Sequence, residues 1–369
     1  MTVRVNGKVV TPTGVVRQGC VEVRGDRITA VAEYPSVRDG HWVVPGFVDI
    51  HTHGGGGHTF TTGDADSARA AAAFHLGHGT TSLLASLVSA PFELMRSATT
   101  AFAPLVNEGV LAGIHFEGPY LSAARCGAQN PQFLRDPSTD ELTELIKLGD
   151  GAVRMVTIAP ERAGALAAIE LLTGHGVVAA VGHTDATYEQ TRAAIAAGAS
   201  VGTHVFNGMR PVHHREPGPV VALLSTPNVI CELVADGVHL HDGTLTFATS
   251  TAGPERCALI TDAMAAAGMP DGEYELGGQA VTVADGVARL AGDGAIAGST
   301  LTMDAALRHA VAAGIPVPDA VRMVSTTPAL AIGLGDQVGA LQPGLRADLV
   351  VLDNDLNVVR VMRGGTWVQ

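Results

Sequence analysis

The chain has 369 residues, of which 46% are hydrophobic and 45 are glycine, and it carries a formal net charge of −13. That length and apolar content suffice for a large core, and the acidic balance excludes nucleic acid or an anionic membrane as the principal partner. Four separated cysteines (Cys20, Cys126, Cys231, Cys257) form no thiolate zinc motif. No apolar run approaches the ~18 residues of a membrane span, so the expected location is cytoplasmic.

Residues 1–45 alternate apolar and polar side chains between glycine turns and read as small antiparallel hairpins. From Phe47 onward, short apolar runs alternate with Ala-rich helical stretches, the pattern of βαβ units. Eight runs can be counted, at 47–51, 81–87, 113–117, 154–159, 177–183, 200–205, 229–235 and 257–261. Helices are expected between them at 67–76, 139–147, 164–173 and 188–197. The fold class is therefore α/β, a (β/α)8 TIM-like barrel over 46–334. A β-hairpin insertion is expected at 272–297, before a last helix at 301–313. Strands at 347–353 and 358–362 would join the N-terminal hairpins, so that 1–45 and 335–369 make one small discontinuous β-sandwich domain.

In such a barrel the chemistry sits at the C-terminal ends of the strands. Those ends offer His51 and His53, then Glu117, His183, His204 and Asp262. His51 and His53 stand two apart on a strand and so face the same way. Four imidazoles and two carboxylates suit Zn2+ first, with Fe2+, Mn2+, Co2+ or Cd2+ as alternatives, one or two ions per subunit. Each residue alone has an ordinary reading: Glu117 as a capping carboxylate, His183 and His204 as core histidines, Asp262 as a helix cap. All of these readings would have to hold at once. A divalent ion lowers the pKa of a coordinated water from 15.7 to about 7, and a neighbouring carboxylate can carry its proton to a leaving group. Asp262 is the candidate for that acid/base role, and hydrolysis of an amide or related bond is the expected reaction.

The run Pro45-Gly46-Phe47-Val48-Asp49-Ile50-His51-Thr52-His53 and the segment 339–352 resemble the amidohydrolase superfamily. Narrower motifs resemble its branch that deacetylates N-acetyl amino-sugar phosphates. They are 115–121 (HFEGPYL), 182–186 (GHTDA), 203–209 (THVFNGM), 215–218 (REPG), 235–239 (ADGVH) and 298–303 (GSTLTM). The resemblance implies that Glu117, His183 and His204 hold one metal, and that His51 and His53 add a second with help from Glu117 or Asp262. It also implies that Asn207 and the Gly208 backbone bind phosphate, and that Arg215 reaches in from the neighbouring subunit of a homodimer. His239 would contact the sugar phosphate or the reacting carbonyl, and Thr300 lies in a motif expected at the substrate. Where the family often has a histidine for the acetyl carbonyl, this chain has Gln129, in a small-residue loop beside Cys126 that is expected to be mobile.

Two relatives within the superfamily are disfavoured. A hydantoinase-like site needs a carboxylated lysine at the end of the fourth strand, and the only lysines are Lys8 and Lys147, before that strand. A purine-type deaminase usually has an acid three residues after a strand-end histidine; after His183 that residue is Ala186. A non-catalytic scaffold would be expected to have lost ligands, yet all six candidates are present.

Overall fold

The computed structural model describes residues 2–35 and 40–368. Eight parallel strands follow one another in sequence order around a single sheet: Phe47–Thr52, Thr80–Leu87, Gly113–Glu117, Val153–Ile158, Val178–Val181, Val201–Gly202, Ile230–Val234 and Cys257–Ile260. The sheet closes where the eighth strand meets the first. The Asp262 N–H donates to the His51 carbonyl at 2.9 Å, and the His53 N–H to the Ala263 carbonyl at 2.7 Å. Almost every side chain on these strands is buried. The continuous apolar runs follow from that, because both faces of a closed parallel sheet are covered.

The expected helices appear as Ala65–Gly77, Thr139–Gly149, Ala165–Gly174 and Tyr188–Ala196. Tyr188–Ala196 starts in a reciprocal capping box between Thr187 and Gln190. The helix at Met303–Ala312 is not the last one. Val317–Val324 and Thr326–Ala331 follow it, with prolines in their first turns. Residues 272–290 form a three-stranded antiparallel sheet rather than a hairpin, through Gly272–Leu276, Gln279–Ala284 and Val287–Leu290. It packs its own apolar side chains against Val88, Met264 and the edge of Ala128.

The two ends of the chain meet in one seven-stranded sheet. Leu349–Leu352 pairs with Trp42–Pro45, which pairs in turn with the first strand, Thr2–Thr11. Val5, Val9, Val21, Ile28, Leu349 and Met362 form its separate core. Residues 36–39 of the N-terminal segment lie outside the described residues. No helix among the described residues is long and apolar enough to cross a membrane, and all four cysteines are free.

Candidate metal centre and active site

The six strand-end residues converge. His51, His53 and Asp262 form one buried trio, and Glu117, His183 and His204 a second; within each, the ligand atoms lie within 4.8 Å of one another. Glu117 joins the two. Its Oε1 is 3.0 Å from His183 Nε2, 2.9 Å from His204 Nε2 and 3.5 Å from His51 Nε2, and its Oε2 is 3.2 Å from His53 Nε2. Asp262 Oδ1 is 3.2 Å from His53 Nε2 and 3.6 Å from His51 Nε2.

The outward ring nitrogens decide what the inward ones can do. His53 Nδ1 faces the Ser86 carbonyl at 3.0 Å, His183 Nδ1 the Arg125 carbonyl at 2.9 Å and His204 Nδ1 the Asn207 carbonyl at 3.2 Å. A carbonyl oxygen only accepts, so each Nδ1 carries a proton and it is Nε2 that each ring turns inward, free to bind a metal when it holds no proton of its own. His51 Nδ1 does the same toward the Glu232 carboxylate at 3.1 Å. The Nε2 atoms then stand 3.2 Å apart in the pair 51/53 and 3.1 Å apart in the pair 183/204. Facing ring nitrogens at that distance, ringed by two carboxylates, call for positive charge among them, which a proton on a ring or a metal ion can supply. The donor set fits one or two divalent ions of the zinc type, with outer acceptors fixing each ring.

The backbone is bent to achieve this. His183, His204 and Asp262 have φ of 44°, 26° and 50°, a left-handed region that costs a non-glycine residue about 1–3 kcal/mol. The sharp turn brings each side chain over the barrel mouth instead of along the strand. Gly208 lets the chain pass closely over His183, since a Cβ there would lie 2.9 Å from His183 Nδ1.

Burial alone would lower the pKa of His51 and of His53, but their carboxylate neighbours outweigh it. Glu117 and Glu232 raise His51 well above the usual value, and hydrogen bonding to Asp262 and Glu117 raises His53 to about 9. Conversely, burial would raise Glu117 and Asp262, yet the histidines hold both well below the carboxylate range. Both carboxylates are therefore ionised at neutral pH, as ligands or a base require.

A cavity of about 210 Å3 opens above the two trios, lined among others by Gln129, Asn207, Gly208 and His239. His239 Nδ1 is 2.7 Å from Asp236 Oδ2; burial opposes protonation, but that carboxylate raises the pKa of the ring. Its Nε2 lies 4.0 Å from Asp262 Oδ2. Gln129 is placed differently from the sequence expectation. Its Nε2 donates to Glu117 Oε2 at 2.6 Å, and its Oε1 accepts the Ser89 N–H at 2.6 Å. The side-chain amide thus braces the bridging carboxylate. The loop that carries it is tied down as well, with the Ala128 carbonyl accepting from Gln279 of the inserted sheet. Thr300 does not line this cavity: it gives its hydroxyl to the Gly286 carbonyl at 2.6 Å, facing the inserted sheet. Arg215, expected to serve a neighbouring subunit, is exposed, with its guanidinium 2.7 Å from His214.

Sequence reasoning missed the layer beneath. Asp49 accepts from Thr261 Oγ1 at 2.6 Å, and burial pushes its carboxyl up to about 7. His115 sits edge-on to His51, ring centroids 4.6 Å apart, held by Ser86 Oγ and Thr157 Oγ1 at 2.9 Å each. The available signal was an ionisable residue in the middle of a buried strand, as with Asp49, His115 and Glu232.

The Amidohydrolase family model matches residues 42–368. The chain belongs to the amidohydrolase family. The family is metal-dependent, in keeping with the two trios. The chain is 39% identical over 337 residues to N-acetylgalactosamine-6-phosphate deacetylase of Escherichia coli O157:H7, covering 90% of this chain and 88% of that protein. It is 37% identical to N-acetylglucosamine-6-phosphate deacetylase of Vibrio furnissii, covering 89% and 82%. Among solved structures, a mutant of the Mycobacterium smegmatis N-acetyl-D-glucosamine-6-phosphate deacetylase, in complex with N-acetyl-D-glucosamine-6-phosphate, has a TM-score of 0.96, 50% identity and 99% coverage of both chains. The Thermotoga maritima N-acetylglucosamine-6-phosphate deacetylase has a TM-score of 0.93 and 33% identity, covering 100% of this chain and 99% of that one.

Proposed function

We propose that this chain hydrolyses the acetamide of N-acetylglucosamine-6-phosphate to glucosamine-6-phosphate and acetate. The observation that carries the reading is the convergence of four inward imidazole Nε2 atoms on two ionised carboxylates, at the floor of a cavity in a chain so similar to deacetylases of amino-sugar phosphates. His51, His53 and Asp262 would hold one divalent ion and Glu117, His183 and His204 another, with zinc the first choice. When bound, such an ion supplies Lewis acidity that polarises a carbonyl and acidifies a water.

The chain's own groups do the rest. Asp262, ionised and directed into the cavity, takes the proton of the attacking water and returns it to the amine as the C–N bond breaks. His239, whose pKa Asp236 raises, directs Nε2 toward the acetyl carbonyl or the sugar phosphate and donates to it when protonated. Asn207 and the Gly208 backbone line the same cavity and are assigned to the phosphate. Arg215 is exposed and outside its own chain's cavity, which supports a role in a neighbouring subunit's site within a homodimer. The absence of any candidate membrane helix among the described residues accords with a cytoplasmic location.

The similarity to an N-acetylgalactosamine-6-phosphate deacetylase favours one second reading, the C4-epimeric substrate. Acetate release measured side by side from both sugar phosphates and from unphosphorylated N-acetylglucosamine tests this. Higher kcat/KM for N-acetylglucosamine-6-phosphate is expected. Preference for the epimer would replace the substrate, and equal rates on the unphosphorylated sugar would remove the phosphate site.

A further inference from the structure

Glu232 has no place in the chemistry above, yet it is the most unusual buried group near it. It lies on the seventh barrel strand, Ile230–Val234, with no exposed surface. One oxygen, Oε2, reaches both trios at once, 3.1 Å from His51 Nδ1 and 3.2 Å from the His204 backbone N–H. The other, Oε1, is buried without a hydrogen-bond partner among the described residues. No arginine or lysine forms an ion pair with Glu232 there; its one ion-pair partner is His51.

Two comparisons within the site make this informative. Three of the four inward histidines rest their Nδ1 on neutral backbone carbonyls; His51 alone rests on a carboxylate. A charged acceptor makes the stronger hydrogen bond and raises the basicity of the far nitrogen. A buried carboxylate without a cation also costs several kcal/mol, so its retention calls for a positive charge nearby. Through the His51 ring, the nearest place for one is the subsite that His51 shares with His53 and Asp262. His115, packed edge-on to the same ring, leaves His51 little freedom to turn elsewhere.

We propose that Glu232 is a positioning residue for metal loading. It locks the His51 tautomer and supplies the charge that makes His51, His53 and Asp262 a high-affinity divalent-cation site. Through the His204 N–H it also fixes that subsite relative to the Glu117, His183 and His204 subsite. The proposal rests on the two-trio metal reading and adds that the trios depend unequally on one carboxylate.

The test uses the full-length protein, stripped of metal and titrated with Zn2+ against a chromophoric chelator, with total metal per chain measured independently. Wild type should take two equivalents. Glu232→Gln keeps shape and volume but loses the charge. It should weaken one equivalent by about 10–100-fold while the other keeps wild-type affinity. Glu232→Asp keeps the charge but withdraws the oxygen and should fall between the two. Thermal unfolding of the metal-free variants controls for folding, and a variant that fails to fold leaves the other to decide. Two equivalents at wild-type affinity in the folded variants would overturn the role of Glu232 while leaving the hydrolase reading intact. Equal weakening of both equivalents with reduced metal-free stability would make Glu232 a purely structural residue and overturn it too. Wild type that takes one equivalent removes the His51 subsite and this proposal with it. Wild type that takes none contradicts the metal reading itself.

Discussion

Gln129→Glu exchanges an amide NH2 for an oxygen without changing shape, and it does so 2.6 Å from Glu117 Oε2. The Ser89 N–H keeps its acceptor, so the perturbation is confined to the bridging carboxylate. Two carboxylates with charge centres about 4 Å apart repel by about 4 kcal/mol at an effective dielectric constant of 20. That is about 3 pK units, enough to lift the new carboxyl from about 4.3 to about 7. Below that pH it is protonated and donates to Glu117 as the amide did. Above it, the donor is lost and repulsion takes its place. The variant's kcat/KM relative to wild type should therefore be near one at pH 5.5 and fall as pH rises through about 7, by roughly 10²-fold at pH 8.5. Acetate release from pH 5 to 9, with metal content measured at each pH, reads this directly. Gln129→Leu should lose activity across the whole range, because it removes the donor at every pH and also leaves the Ser89 N–H unpaired. A Gln129→Glu profile parallel to wild type from pH 5 to 9 would refute the assignment of Gln129 as the brace of Glu117.

Asp262→Asn should lower kcat by about 10²–10⁴-fold while substrate binding, measured by calorimetry, persists, since Asn keeps the shape but cannot take the proton. A near-normal kcat would move the base elsewhere. Arg215→Ala should raise KM for the phosphorylated sugar through loss of about 1.5–3 kcal/mol. Mixed with Asp262→Asn subunits it should regain activity, since Arg215 would act across a dimer; no recovery in demonstrated mixed dimers would remove that cross-subunit role. His75 is fully buried, and burial lowers its pKa to about 4 despite the hydrogen bond to the Gly54 carbonyl. The unfolded chain therefore binds the proton first. Stability present above pH 6.5 should decline as pH falls toward 4, by up to about 3 kcal/mol. His75→Gln should flatten that part of the urea-unfolding profile, and an unchanged acid slope would contradict the burial argument.

The strands were legible because a closed parallel sheet demands long apolar runs, and the metal trios because each ligand terminates one of them. What escaped has physical causes. Two helices follow the one expected to be last, and Pro316, Pro318 and Pro328 occupy the starts of Val317–Val324 and Thr326–Ala331, where a missing N–H costs nothing. The helix Phe92–Asn107, absent from the expected set, begins after Pro91 and carries Pro104 in its last turn. The third strand of the insertion needed a pairing partner that sequence periodicity does not supply. The family resemblance put Gln129 at the site, but which atom it serves depends on a loop path set by Gln279 and Ser89. Within the motif that carries Thr300, Ser299 and Leu301 are buried, while the Thr300 hydroxyl turns to Gly286.

Hydrolysis of the acetamide should depend on divalent cations held by the two buried trios. The direct measurement is acetate release from N-acetylglucosamine-6-phosphate by protein stripped of metal and then given Zn2+ in sub-stoichiometric steps. Activity should be absent at the start, rise with added metal and level off at no more than two equivalents per chain. Full turnover in protein verified to be metal-free would contradict the account.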